Sequence, residues 1–117
     1  MLGFKWTCST SFYSTHCLDW WGVDHECAQP HGHRFAARVV VKGSRTASTV
    51  DLAALRDTLE VVTAALEGAH LNDVIDDPSC EGIGKHIVDL INAAGFIVDT
   101  VEITEDGRTG VLLTVSQ

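Results

Sequence analysis

The chain opens on an alternation in which Phe4, Trp6, Cys8, Thr10, Phe12, Ser14 and His16 share one parity. A strand turns such residues to a single face, so this predicts a first strand over 2–12 whose inward side runs on to a histidine. Residues 13–30 read as a long irregular connection, and a connection of that length inside a compact domain is more often functional than idle. A second alternation follows from Arg34 to Lys42, with Phe35, Ala37, Val39 and Val41 on one side and Arg34, Arg38 and Lys42 on the other. His31 and His33 continue its apolar side.

The period then changes. Leu52, Leu55, Leu59, Val62 and Leu66 recur at steps of three and four, the stripe of an amphipathic helix that Thr49 or Asp51 can cap and that Glu67-Gly68 should end. Pro78 and Ser79 open a second helix with Ile83, Ile87, Leu90, Ile91 and Ala94 as its stripe and Gly95 as its stop. Residues 96–104 and 111–116 read as two strands joined through Asp106-Gly107, a strong turn signal. The order ββααββ holds no short βαβ repeat and predicts an α+β fold, a four-stranded antiparallel sheet with both helices on one face. Residues 1–117 suit one domain.

Composition narrows the possible partners. A formal net charge of −8 argues against nucleic acid, whose phosphates are held by basic surfaces. A small phosphorylated substrate stays possible, with Lys42, Arg38 or Lys85 as its contacts. No apolar run reaches the ~20 residues that span a bilayer, and the first residues lack a signal-peptide layout, so no membrane partner and a cytoplasmic location are expected. Cysteines 8, 17, 27 and 80 form no close pair and should be reduced there. In the connection, Trp20, Trp21, Asp24, His25 and Glu26 could form one wall of a pocket; equally, the tryptophans could plug the core or a subunit interface.

The chemistry gathers at the histidines. If the first two strands pair antiparallel, His16 meets His31 and His33 at one rim of the sheet. Three neutral imidazoles with an open fourth position are the ligand set of a catalytic zinc, since structural sites close with four protein ligands. A lone histidine on an apolar face is often only a satisfied core residue, but here three parities agree. On the third strand Val101, Ile103 and Glu105 share a parity, which leaves Glu105 where that apolar face runs out.

Several segments together resemble the 6-pyruvoyltetrahydropterin synthase and 6-carboxytetrahydropterin synthase family. They are Phe12-Tyr13-Ser14-Thr15-His16, the Cys27 to His33 stretch, Val50-Asp51-Leu52, Leu71-Asn72-Asp73, Pro78-Ser79-Cys80-Glu81 and Val101-Glu102-Ile103-Thr104-Glu105. The Cys-x-x-x-His-Gly-His spacing is similar to that of the bacterial queuosine-pathway branch. The resemblance implies a T-fold whose protomers join edge to edge, usually as hexamers with active sites between subunits. It implies zinc on His16, His31 and His33, and Cys27 as the base that moves a proton on the side chain of 7,8-dihydroneopterin triphosphate. A thiol serves as a base only as its thiolate, a form that a nearby metal favours. Glu105 aligns with the family's pterin anchor, a carboxylate that accepts the ring's amide N–H and exocyclic amino group together.

The departures also carry information. The family places an adjacent Asp-His pair, its second acid-base group, where this chain has Glu67-Gly68, with His70 two residues further on. Glu67 and His70 are therefore the candidates for that role, although a displaced imidazole acts only if it comes within hydrogen-bond reach. Leu52 replaces a favoured Phe, and Ser79-Cys80 interrupts the usual Pro-Thr-x-Glu. The first expectation is a zinc-dependent lyase acting on a dihydropterin side chain, most like 6-carboxytetrahydropterin synthase. The alternatives are a zinc-dependent relative that performs a cyclisation or carbon-carbon bond step in specialised metabolism, and a non-catalytic pterin- or purine-binding oligomer.

Overall fold

A computed structural model describes residues 1–116. Strand β1 (Trp6–His16) pairs antiparallel with β2 (His31–Ser44), β2 with β3 (Phe96–Glu105), and β3 with β4 (Thr109–Thr114), in the spatial order β1-β2-β3-β4. Helices α1 (Leu52–Ala64) and α2 (Cys80–Ala93) lie between β2 and β3 in the chain, which gives the expected ββααββ order. Asp51 caps α1 by accepting from Ala54 N at 3.1 Å, and the Ser79 hydroxyl caps α2 by accepting from Gly82 N at 3.2 Å. Both satisfy backbone donors that a first helical turn leaves free.

One face of the sheet is covered. Phe12, Phe35, Ala37, Val39, Val101 and Ile103 from the strands form a core with Leu55 and Leu59 of α1 and Ile83, Ile87 and Ile91 of α2. Three positions of the predicted stripes fall outside it, since Leu52, Leu90 and Ala94 are exposed. Each sits at the margin of its stripe, where the helix turns its side chain away from the sheet. Among the described residues no helix is long and apolar enough to cross a membrane.

The first strand departs from its predicted span of 2–12. It begins at Trp6 and runs to His16, because Tyr13 to His16 keep pairing with Arg34 to His31. Polar letters read there as loop are held as strand by their partners. Ser14, fully buried, donates its hydroxyl to the Leu66 carbonyl beyond α1. The connection shortens to residues 17–30 and contains a one-turn 3-10 helix, Glu26–Ala28. The β3–β4 turn forms as predicted, with Asp106 at φ 55° and Gly107 at φ 71°, the left-handed pair that matches strand twist.

Candidate active site

Register alone brings the histidines together. His16 pairs directly with His31, and Ser14 with His33, so three imidazoles from two adjacent strands share the buried face at the open end of the core. Their ring centroids lie 4.5 to 5.4 Å apart, edge to face. Between His31 and His33, Gly32 faces the other side of the sheet under the Tyr13 ring. A Cβ at Gly32 would fall 1.9 Å from the Tyr13 hydroxyl oxygen. The glycine of the His-Gly-His run thus leaves room for the Tyr13 ring on the side opposite the site, and a larger residue there would displace that ring.

Hydrogen bonds fix how each ring is turned. His16 Nδ1 lies 2.7 Å from the Pro78 carbonyl, His31 Nδ1 2.7 Å from the Gln29 carbonyl, and His33 Nδ1 2.7 Å from Asp106 Oδ2. Carbonyl and carboxylate oxygens only accept, so every Nδ1 carries its hydrogen and donates. Every neutral ring therefore keeps its lone pair on Nε2. One ligand atom from each ring comes within 4.8 Å of the other two. His16 is 1% exposed and its Nε2 is a buried polar atom with no hydrogen-bond partner. Leaving such an atom unsatisfied costs about 1–3 kcal/mol, and a cation among the three lone pairs would satisfy it. Three imidazoles, each oriented through its other nitrogen, are a donor set that fits zinc.

The surroundings of His16 favour its neutral ring. Burial is the main cause holding the His16 pKa below the ordinary histidine value of 6.5, against the opposing pull of the Pro78 carbonyl. Between the lowered value and about 6.5 the unfolded chain binds more protons than the folded one, so stability from the neutral ring is complete above that window and lost as pH falls through it. Metal binding needs the same neutral form. Zinc affinity is therefore expected to drop steeply between pH 7.5 and pH 5.5, as read by calorimetric titration at the two values.

Asp106 anchors the third histidine in two ways. Its Oδ2 accepts from His33 and its Oδ1 from Arg34 N at 2.9 Å, and the first of these contacts is the main cause lowering its pKa. Asp106→Asn preserves the left-handed turn and the neutral acceptor but removes the charge that fixes His33. Metal affinity is expected to fall ~10–100-fold with the fold intact, as measured by competition with a chelator. The sequence marks Asp106 only as a turn former.

A cavity of about 340 Å³ opens over the histidines, and Leu18, Glu26, Cys27 and Glu105 complete its lining. Cys27 reaches it from the 3-10 turn, whose entry is capped by His25 Nδ1 accepting from Cys27 N at 3.1 Å. Glu105 stands at the end of β3, with Oε1 3.3 Å from the Cys80 sulfur and Oε2 3.6 Å from His33 Nε2. Asn72 pins the chain just past His16, accepting from Cys17 N and donating to Cys17 O, both at 3.0 Å. It imitates a strand partner where the strand ends. Of these supports, the carbonyls of Pro78 and Gln29 have no sequence signal at all.

Other predicted contributors lie elsewhere. Glu67 accepts from Tyr13 N, sits 4.0 Å from Arg34, and lines a separate cleft between β1 and α1. His70 Nδ1 is 2.8 Å from the Thr15 hydroxyl, on the side of β1 turned away from His16. Residues 68–70 run alongside β1, with Gly68 N donating to Tyr13 O and Thr15 N to Ala69 O, so Glu67 and His70 are built into the sheet edge. Neither lines the cavity over the histidines. Trp20 and Trp21 are 57% and 62% exposed, so they do not plug the core, and they leave the pocket wall to Leu18, Glu26 and Cys27. Lys42, Arg38 and Lys85 are also absent from the cavity, so the cations expected to meet a phosphate are not in it. Strand alternation puts Arg38 and Lys42 on the other face of β2.

Comparison with known proteins is consistent with this arrangement. The fold is similar to that of Caenorhabditis elegans 6-pyruvoyl tetrahydropterin synthase, at 16% identity and a TM-score of 0.79 over 97% of this chain and 96% of that one. It is also similar to the Plasmodium falciparum 6-pyruvoyl tetrahydropterin synthase, at 13% identity and a TM-score of 0.60 over 93% and 96%. At such identities the likeness carries the fold alone, and that fold is the expected T-fold. No curated protein sequence matches the chain. Residues 5–114 match the family described as 6-pyruvoyl tetrahydropterin synthase, and with nearly the whole length covered, the chain belongs to that family.

Proposed function

We propose that the protein is a zinc-dependent lyase acting on the side chain of a dihydropterin, most like 6-carboxytetrahydropterin synthase. Family membership supports a tetrahydropterin synthase-type activity. The observation that carries the finer reading is the convergence of one ligand atom from each of His16, His31 and His33 in a cavity that also holds Cys27 and Glu105. His16, His31 and His33 would hold the ion, which when bound lowers the pKa of a hydroxyl and polarises a neighbouring carbonyl. Glu105 accepts the paired N–H donors of the ring and so selects it, because a ligand without them leaves the carboxylate underpaired. Cys27 takes the proton from the side-chain carbon.

The substrate in this reading is 7,8-dihydroneopterin triphosphate or a close relative, and the working unit is a homo-oligomer, a hexamer joined through sheet edges. The edge of β4, and that of β1 ahead of the part bonded to residues 67–70, favour such joining. Zinc-loaded protein incubated with 7,8-dihydroneopterin triphosphate is expected to form 6-carboxytetrahydropterin, detected by mass spectrometry. Absence of turnover with zinc bound would count against the lyase reading.

A second reading, a cyclisation or carbon-carbon bond step at the same metal and thiol, is favoured by the state of Glu67. Its carboxylate is occupied by the Tyr13 backbone, and Gly68 stands where the family has histidine. Glu67→Gln retains an acceptor for Tyr13 N. If Glu67 serves only the strand edge, turnover stays within about threefold of wild type. A fall of ~10²-fold or more would instead make it a proton-transfer group.

A further inference from the structure

Cys80 is the first residue of α2, 8% exposed, and its thiol meets no reacting group in the lyase scheme. It has one polar partner, Glu105 Oε1 at 3.3 Å. Burial and the adjacent carboxylate push the thiol pKa up, so the sulfur keeps its hydrogen and donates. The segment that carries it is itself anchored. The Ser79 hydroxyl donates to Asp77 Oδ1 at 2.6 Å, and the Pro78 carbonyl orients His16. One helix entrance therefore supports a metal-facing histidine and the carboxylate beside it.

The other oxygen of Glu105 raises a difficulty. Oε2 lies 3.6 Å from His33 Nε2. Two ligands at zinc distances of ~2.1 Å in a tetrahedral site lie about 3.4 Å apart, so this carboxylate is nearly at the spacing of a fourth ligand. It does not share the common 4.8 Å neighbourhood of the three histidines. A freely rotating Glu105 would close the fourth position and turn a catalytic site into a four-ligand structural one.

The geometry points to Cys80 as a positioning residue that holds the Glu105 carboxylate off the metal and keeps the fourth position open to substrate. The inference rests on the metal reading of the histidines and not on the identity of the ring. Cobalt(II) in place of zinc makes it visible, because azide alters the cobalt absorption only where a position is free. In wild-type protein azide perturbs the spectrum. In Cys80→Ala the released carboxylate takes the position, azide affinity drops at least tenfold, and cobalt is lost to a chelator more slowly. Cys80→Ser, which restores a donor, stays within about threefold of wild type. The double variant Cys80→Ala/Glu105→Ala recovers azide binding, which simple misfolding would not allow.

Azide binding to Cys80→Ala as to wild type, or no recovery in the double variant, overturns the inference. So does a wild-type protein that takes up no cobalt, which removes the metal reading with it. Failure of the pterin reading would appear only in turnover assays and would leave the azide series unchanged.

Discussion

His16→Ala is expected to lose zinc by more than a hundredfold in affinity, since loss of a residue that merely orients a ligand already costs ~10–100-fold. His16 is the buried member of the set, with Nδ1 committed to Pro78 and Nε2 without a partner. Zinc at a hundred times its dissociation constant stabilises a protein by about 2.7 kcal/mol. For a chain of this size that raises Tm by roughly 10 °C, a rise that should be absent from the variant. Without zinc the two proteins should differ less. The substitution leaves the Pro78 carbonyl unpaired and a hole beside Phe35, but it also removes the unsatisfied Nε2. Thermal unfolding of both proteins with and without zinc gives the four values needed. An equal rise in wild type and variant would place the ion elsewhere.

The second large effect concerns Cys27. Cys27→Ala should keep its zinc and its affinity for the ring, because neither His31 nor Glu105 depends on the sulfur for position. Turnover should fall ~10²–10⁴-fold, the usual contribution of a general base. The fold should persist, since the backbone N–H that His25 accepts from is unchanged. Single-turnover kinetics at saturating dihydropterin separate this from weakened binding, which would raise KM and leave kcat unchanged. A variant with wild-type kcat would exclude Cys27 as the base and leave Glu26, the other titratable group from that loop in the cavity, as the next to test.

These expectations differ in how far the chain alone supports them. Alternation put His16, His31 and His33 on inward faces, the two helical stripes required a sheet to cover, and Asp106-Gly107 closed the last hairpin. All are local signals of period two, period 3.6 or turn chemistry, legible because each rests on residues a few positions apart. The end of β1 was not legible. Ser14 and Thr15 become strand only because β2, Leu66 and Ala69 supply partners from distant parts of the chain.

The sequence by itself determined the ββααββ order, the inward parity of the three histidines and the place of Glu105 at the end of its strand. Only the tertiary structure decided how the rings are turned, that Asp106 bonds His33 and Cys80 bonds Glu105, and that Glu67 and His70 contact the edge of β1. The reason is one of range. Periodicity records which face a side chain takes, whereas a hydrogen bond between residues 25 or 73 positions apart, as for Cys80 with Glu105 and His33 with Asp106, exists only once folding has brought them together.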